Sequence, residues 1–247
     1  MRLAIIVCLA CCIGFLNLNS SAENSAAKPV PLDEGWLQQH EHFNALAKAG
    51  DIDILFLGDS LVTSWMGDGV GLKARGKAVW DKEYATKHAA LFGISGDRTQ
   101  HLLWRISHGE LDGLHPRVVI LVIGVNNTGY EPKAKVLRNT TDEVIEAMQI
   151  TIAEVRNRLP DSTLIVMGLF PKGGRENPAR AQITAVNKAL KLIADNHKLI
   201  FLDIGNLYVT KQGDIIHELM PDSSHPSAQG YQIWADALRG PLNQILQ

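Results

Sequence analysis

The chain has 247 residues, enough for one large domain or two small ones, and its 46% hydrophobic content provides for a sizeable core. Its 24 Lys and Arg stand against 26 Asp and Glu, a formal net charge of -2. There is no basic field of the kind that nucleic acid or an anionic membrane surface requires, so polyanion partners are excluded first.

The first residues read as a targeting segment. Arg2 precedes an apolar run from Leu3 to Leu16, and Ser20 and Ala22 supply the small residues of a signal-peptidase site, so residues 1–22 are expected to be a signal peptide with Glu23 as the mature start. A second cut after Ala26 or Ala27 is an alternative. A transmembrane anchor is disfavoured because the apolar run is shorter than the ~20 residues a span needs. Cys8, Cys11 and Cys12 all lie in this segment, so the expected mature chain has no cysteine for disulfides or thiolate metal sites. The expected location is therefore secreted or periplasmic, with no membrane span in the mature chain.

Residues 23–33, ENSAAKPVPLD, are small, polar and proline-bearing, the pattern of an exposed linker, and the domain is expected over 34–247. Five apolar runs follow: Ile52 to Leu57, Ala89 to Ile94, Val118 to Ile123, Leu164 to Leu169 and Leu199 to Ile204. They have the length and continuity of strands buried on both faces. Between them Asp142 to Arg158 places Val144, Ile145, Met148, Ile152 and Val155 on one stripe, and Ala179 to Asn196 and Ser227 to Leu246 carry similar stripes. QHLLWRISHGE also reads as a helix, packing by Leu102 and Leu103. Alternating strand and helix predict an α/β fold: a three-layer α/β/α sandwich around a five-stranded parallel sheet.

In such a sheet ligands collect beyond the carboxyl ends of the strands. The first run stops at Gly58-Asp59-Ser60, which presents a serine at that rim. A serine hydroxyl needs a base, normally a histidine held in the correct tautomer by a carboxylate. Of the nine histidines, His217 and His225 each follow an aspartate by three and are the two weighed as the base. Asp214 to His217 includes the apolar pair Ile215-Ile216 and reads as a short packed segment. Asp222-Ser223-Ser224-His225 lies in a polar loop before the last helix and is the preferred pair. Gly96 and Asn126 stand at the ends of the second and third strands, where oxyanion donors are needed; each also fits an ordinary loop role. Asp59 reads as an organiser of its turn, and Trp65 as either a pocket wall or core.

The order Gly58-Asp59-Ser60, Gly96 in GISGD, Asn126 in GVNN and His225 in DSSH resembles the SGNH (GDSL) hydrolases. GISGDRTQHLLWR, GLFPKGGRENPAR and DSSHPSAQGY are similar to the catalytic subunits of platelet-activating factor acetylhydrolase and their secreted bacterial relatives. The resemblance implies Ser60 as nucleophile, His225 as base, Asp222 as its orienting acid, and the Ser60 and Gly96 N–H groups with the Asn126 amide as oxyanion hole. It also implies a serine esterase for a short acyl group such as acetyl, working without metal or organic cofactor on a small-molecule, glycan or lipid ester. Dimerisation of the family subunits makes a homodimer one option. The sequence departs from the pattern at Asn127, where many members have Asp, and at Ser95, where glycine is frequent. Asn127 reads either as a support for the loop that aims Asn126 or as a solvated loop residue. Two rivals remain: a secreted carbohydrate- or lipid-binding domain without turnover, and a metal hydrolase using Asp59, Asp222 and His225, the latter disfavoured because no close histidine pair accompanies them.

Overall fold

The computed structural model describes residues 23–69, 71–194 and 199–247. The signal peptide expected over 1–22 lies outside the described residues, as does the far end of the stripe that begins at Ala179. Helix α1 (Glu34–Ala49) opens the domain, capped by Asp33, whose carboxylate accepts the Trp36 N–H. The strands are β1 (Ile54–Gly58), β2 (Ala89–Gly93), β3 (Val118–Val122), β4 (Thr163–Met167) and β5 (Leu199–Leu202). They form one parallel sheet in the order β2-β1-β3-β4-β5, with Gly58 level with Gly93 on one side and Val122 on the other. The five apolar runs thus all become strands; β2 to β5 end one or two residues before their runs do, and β1 extends one residue past its run, to Gly58. Ile94, Ile123 and Leu169 stay apolar because they are buried past the last rung of the ladder.

The connecting helices are α2 (Ser60–Thr63), α3 (Lys77–Glu83), α4 (Thr99–Ser107), α5 (Thr141–Arg158), α6 (Pro178–Ile193) and α7 (Ala228–Ile245). Side chains alternate between sheet faces with period 2, and this separates the two helical layers. Phe56 points to the layer holding Trp80 of α3 and Trp234 of α7, while Phe92, level with Leu57, stacks on Phe43 of α1. Trp36 and His40 of α1 pack on Trp104 of α4, so α1 and α4 share that second layer. Trp65 is fully buried against Phe56, Trp80, Tyr231 and Trp234, which makes it core and no pocket wall.

The segment expected to be an exposed linker is exposed along most of its length but is pinned at its start. Ala26 is fully buried, and its carbonyl accepts the Thr99 hydroxyl at 2.7 Å. Asn24 donates to the Glu143 carbonyl at 2.9 Å, and Ser25 accepts from Asn139 at 3.0 Å. Three small or short polar side chains fit the crease between α4 and α5, a docking that composition alone does not reveal.

Candidate active site

The carboxyl ends of β1, β2 and β3 deliver three loops to one rim. At β1, Gly58 lies so close to the Val122 carbonyl that a Cβ there would overlap it. Asp59 then caps α2 by accepting the Leu61 N–H at 3.0 Å, and Ser60 becomes the first helical residue, its side chain turned into the rim. Asp59 is fully buried. Burial pushes its pKa up to about 7, against the Leu61 N–H and the nearby Lys172 charge.

Ser60 and His225 are 165 residues apart in sequence, yet His225 Nε2 lies 2.9 Å from Ser60 Oγ. His225 Nδ1 is 3.0 Å from Asp222 Oδ2. Asp222 is itself held by the main chain, its Oδ1 accepting the Ser224 N–H at 3.0 Å and the His225 N–H at 2.7 Å. Partial burial raises the Asp222 pKa, but these N–H groups and the His225 ring outweigh it and draw the carboxyl down to about 2. An ionised Asp222 accepting Nδ1–H leaves Nε2 free to accept the serine proton, the tautomer a general base requires. His217, the alternative histidine, is exposed.

Arg75, which carries no motif, completes this group. Its Nη2 donates to Asp222 Oδ2 at 2.7 Å and its Nη1 to the His225 carbonyl at 3.1 Å, so one guanidinium ties both ends of the Asp222–His225 loop.

The other side of the cleft is built from the β2 and β3 loops. Gly96 adopts φ +86°, a left-handed backbone open to glycine, and presents its edge to the cleft. Asn126 sits in the turn Val125–Asn127, entered through Gly124 at φ 106°. Its Nδ2 donates to the Asp97 carbonyl at 3.0 Å, and its Oδ1 accepts from Lys172 Nζ at 3.2 Å. Asn127 is fully buried, accepting the Thr99 N–H and donating to Gln100 and Asn139. It therefore supports the Asn126 turn and is no solvated loop residue.

Beneath both loops Arg105 is fully buried and uses every donor group. It binds Asp97 at 2.6 Å, Glu110 through two bonds, the Gly58 carbonyl at 3.2 Å and the Phe92 carbonyl at 2.7 Å. The end of β1, the end of β2 and the Asp97 loop thus share one cation. A cleft of about 370 Å³ lies above them, lined by Ser60, Leu72, Gly96, Asn126, Lys172 and His225. A second hollow of about 860 Å³ meets it at Asp68 and Ser95 and extends to Gln38, Gln39 and His42 of α1.

Residues 56–233 match the model of the GDSL-like lipase/acylhydrolase family. The chain belongs to this family. As a GDSL-like acylhydrolase it is an ester-hydrolysing enzyme, and its sequence and fold relatives agree. It is 32% identical to the human platelet-activating factor acetylhydrolase IB subunit alpha1 over 233 residues, covering 92% of this chain and 93% of that protein. A GDSL-like lipase from Bacteroides thetaiotaomicron shares the fold with a TM-score of 0.64 at 16% identity, over 84% of this chain and 97% of that one. An acetylxylan esterase from Geobacillus stearothermophilus superimposes with a TM-score of 0.58 at 22% identity, over 78% of this chain and 93% of that one. The sequence motifs picked out Ser60, Gly96, Asn126 and His225, which line one cleft, and Asp222, which bonds His225 behind it. Arg75 and Lys172 went unread, since a basic residue in a loop has no spacing that marks it.

Proposed function

We propose that this acylhydrolase cleaves a short-chain carboxylic ester, such as an acetyl ester, through a covalent acyl-Ser60 intermediate. The observation that carries the proposal is the relay from Ser60 Oγ through His225 to Asp222, with contacts of 2.9 and 3.0 Å.

His225 Nε2 takes the proton as Ser60 Oγ attacks the ester carbonyl carbon. The carbonyl oxygen, now negative, is held by the N–H groups of Ser60 and Gly96 and the Asn126 amide. Collapse breaks the bond to the alcohol oxygen, which receives the proton from His225. Water then repeats the sequence against the acyl-enzyme, giving its proton to His225 and releasing the carboxylic acid, while Asp222 balances the imidazolium in both halves.

Acetyl as the acyl group draws support from the names of the human relative and of the Geobacillus fold neighbour. The hollow beyond Asp68 and Ser95 offers room for a large alcohol, as in an acetylated polysaccharide or a phospholipid. Export through residues 1–22 belongs to the same proposal and would bring the enzyme to such substrates outside the cytoplasm.

The test is hydrolysis of p-nitrophenyl esters from acetyl to octanoyl by the mature chain beside Ser60→Ala. Turnover should fall steeply with acyl length, and Ser60→Ala should lose at least ~10³ in kcat. A variant that keeps its rate, or a Ser60 that a fluorophosphonate fails to label, would remove the mechanism.

A further inference from the structure

Asn126 is gripped at both of its carbonyls by cations. Lys172 Nζ lies 3.2 Å from the side-chain Oδ1, and Arg138 Nη1 donates to the main-chain oxygen at 3.1 Å. We propose that Lys172 is a positioning residue for oxyanion stabilisation, fixing the Asn126 amide so that one Nδ2–H faces the cleft and strengthening that N–H as a donor. The inference rests on the reading of Asn126 as an oxyanion donor.

An asparagine amide has two ends of nearly equal shape, and only its partners decide which end faces where. Here the partners leave no ambiguity. An ammonium has no lone pair, so the group facing Lys172 is the carbonyl oxygen, and Nδ2 is turned toward the Asp97 carbonyl and the rim. One N–H is spent on Asp97 at 3.0 Å. The second has only the Asp59 carboxylate at 3.5 Å, a long contact that a developing oxyanion outcompetes. A cation on the amide oxygen also draws electron density toward that oxygen, which leaves the N–H more positive at the moment negative charge forms in the cleft.

Lys172 is well placed to hold this position. It follows Pro171 in the loop after β4, and the next residue, Gly173, donates to the Ser223 carbonyl at 2.8 Å, stitching this loop to the one bearing His225. The side chain is largely screened from water, and burial, with Arg138 nearby, lowers its pKa while Asp59 opposes the fall. Its charge therefore acts on Asn126 through a medium that screens it less than water does.

A double-mutant cycle tests this on p-nitrophenyl acetate, an uncharged ester that offers Lys172 no anion to bind. Asn126→Ala should lower kcat by ~10². Lys172→Met should lower kcat by ~10-fold with KM changed less than ~3-fold, and Lys172→Arg should regain part of the loss, since it restores a donor cation. In the Asn126→Ala background Lys172→Met should have less than ~2-fold effect, because a residue that acts through Asn126 has nothing left to act on. Thermal unfolding and fluorophosphonate labelling confirm that each variant folds.

The same ~10-fold loss in both backgrounds, or a loss confined to KM, would overturn the inference while leaving the Asn126 assignment intact. An unchanged kcat in Asn126→Ala would instead remove the Asn126 assignment and the inference with it.

Discussion

Replacing Asp59 by asparagine measures the cost of ionising a carboxylate inside the turn that carries Ser60. Asparagine caps a helix as well as aspartate does, so the bond from the Leu61 N–H to Oδ1 survives the change. What disappears is the titration. Burial pushes the Asp59 pKa from 3.8 to about 7. A carboxyl group raised in this way holds its proton more tightly in the folded state than in the unfolded one. Its contribution to stability is greatest below the unfolded value of 3.8 and is lost as pH rises through the folded value. A rise of roughly 3 pH units corresponds to about 4 kcal/mol overall, of which about 2–3 kcal/mol falls between pH 5 and pH 8. Urea unfolding of wild type and Asp59→Asn across that range gives the answer directly, because subtracting the two curves cancels every titrating group they share. The wild type should lose about 2–3 kcal/mol relative to the variant, or roughly 5–10 °C in Tm for a domain of this size. Parallel curves would refute the argument, for they would mean that Asp59 titrates alike in the folded and unfolded chain.

Two further outcomes follow from the same geometry. Arg105→Met leaves Asp97 and Glu110 buried without their counter-ion, so stability should fall by about 3–5 kcal/mol, read by thermal unfolding; a loss below about 1 kcal/mol would show that the carboxylates find other partners. Asp222→Asn removes the acceptor that keeps the proton on His225 Nδ1, and kcat should drop by ~10²–10⁴ with the fold intact by circular dichroism; a drop under ~3-fold would end the role of Asp222.

Each strand was legible because burial on both faces leaves an uninterrupted apolar run, and α5 to α7 because their stripes repeat at helical spacing. Helices α1 and α3 were not read. On α1 the inward face includes His40, buried against Glu110, and a polar residue at a core position breaks the apolar stripe. The site divides along a similar line. Ser60, Asp222 and His225 sit in short motifs whose order along the chain carries information, whereas Arg75 reaches Asp222 across 147 residues of sequence. No local pattern encodes such a meeting. Asn127 lay between: its position in GVNN suggested support for the loop, and its buried amide network provides it.

The pinned start of the domain bears on how the enzyme should be made. Trimming the chain to residue 28 would remove Asn24, Ser25 and Ala26, and with them the acceptors for Thr99 and Asn139, two residues that bond Asn127 directly. The other terminus is tied as well, with Arg117 donating to the carbonyls of Ile245, Leu246 and Gln247. A recombinant chain that begins at Glu23 retains the whole strut behind Asn126, and an affinity tag is better placed upstream of it on a cleavable spacer than fused to Gln247. Preparations that differ by only a few residues at the start would otherwise differ in turnover although every residue lining the cleft is the same.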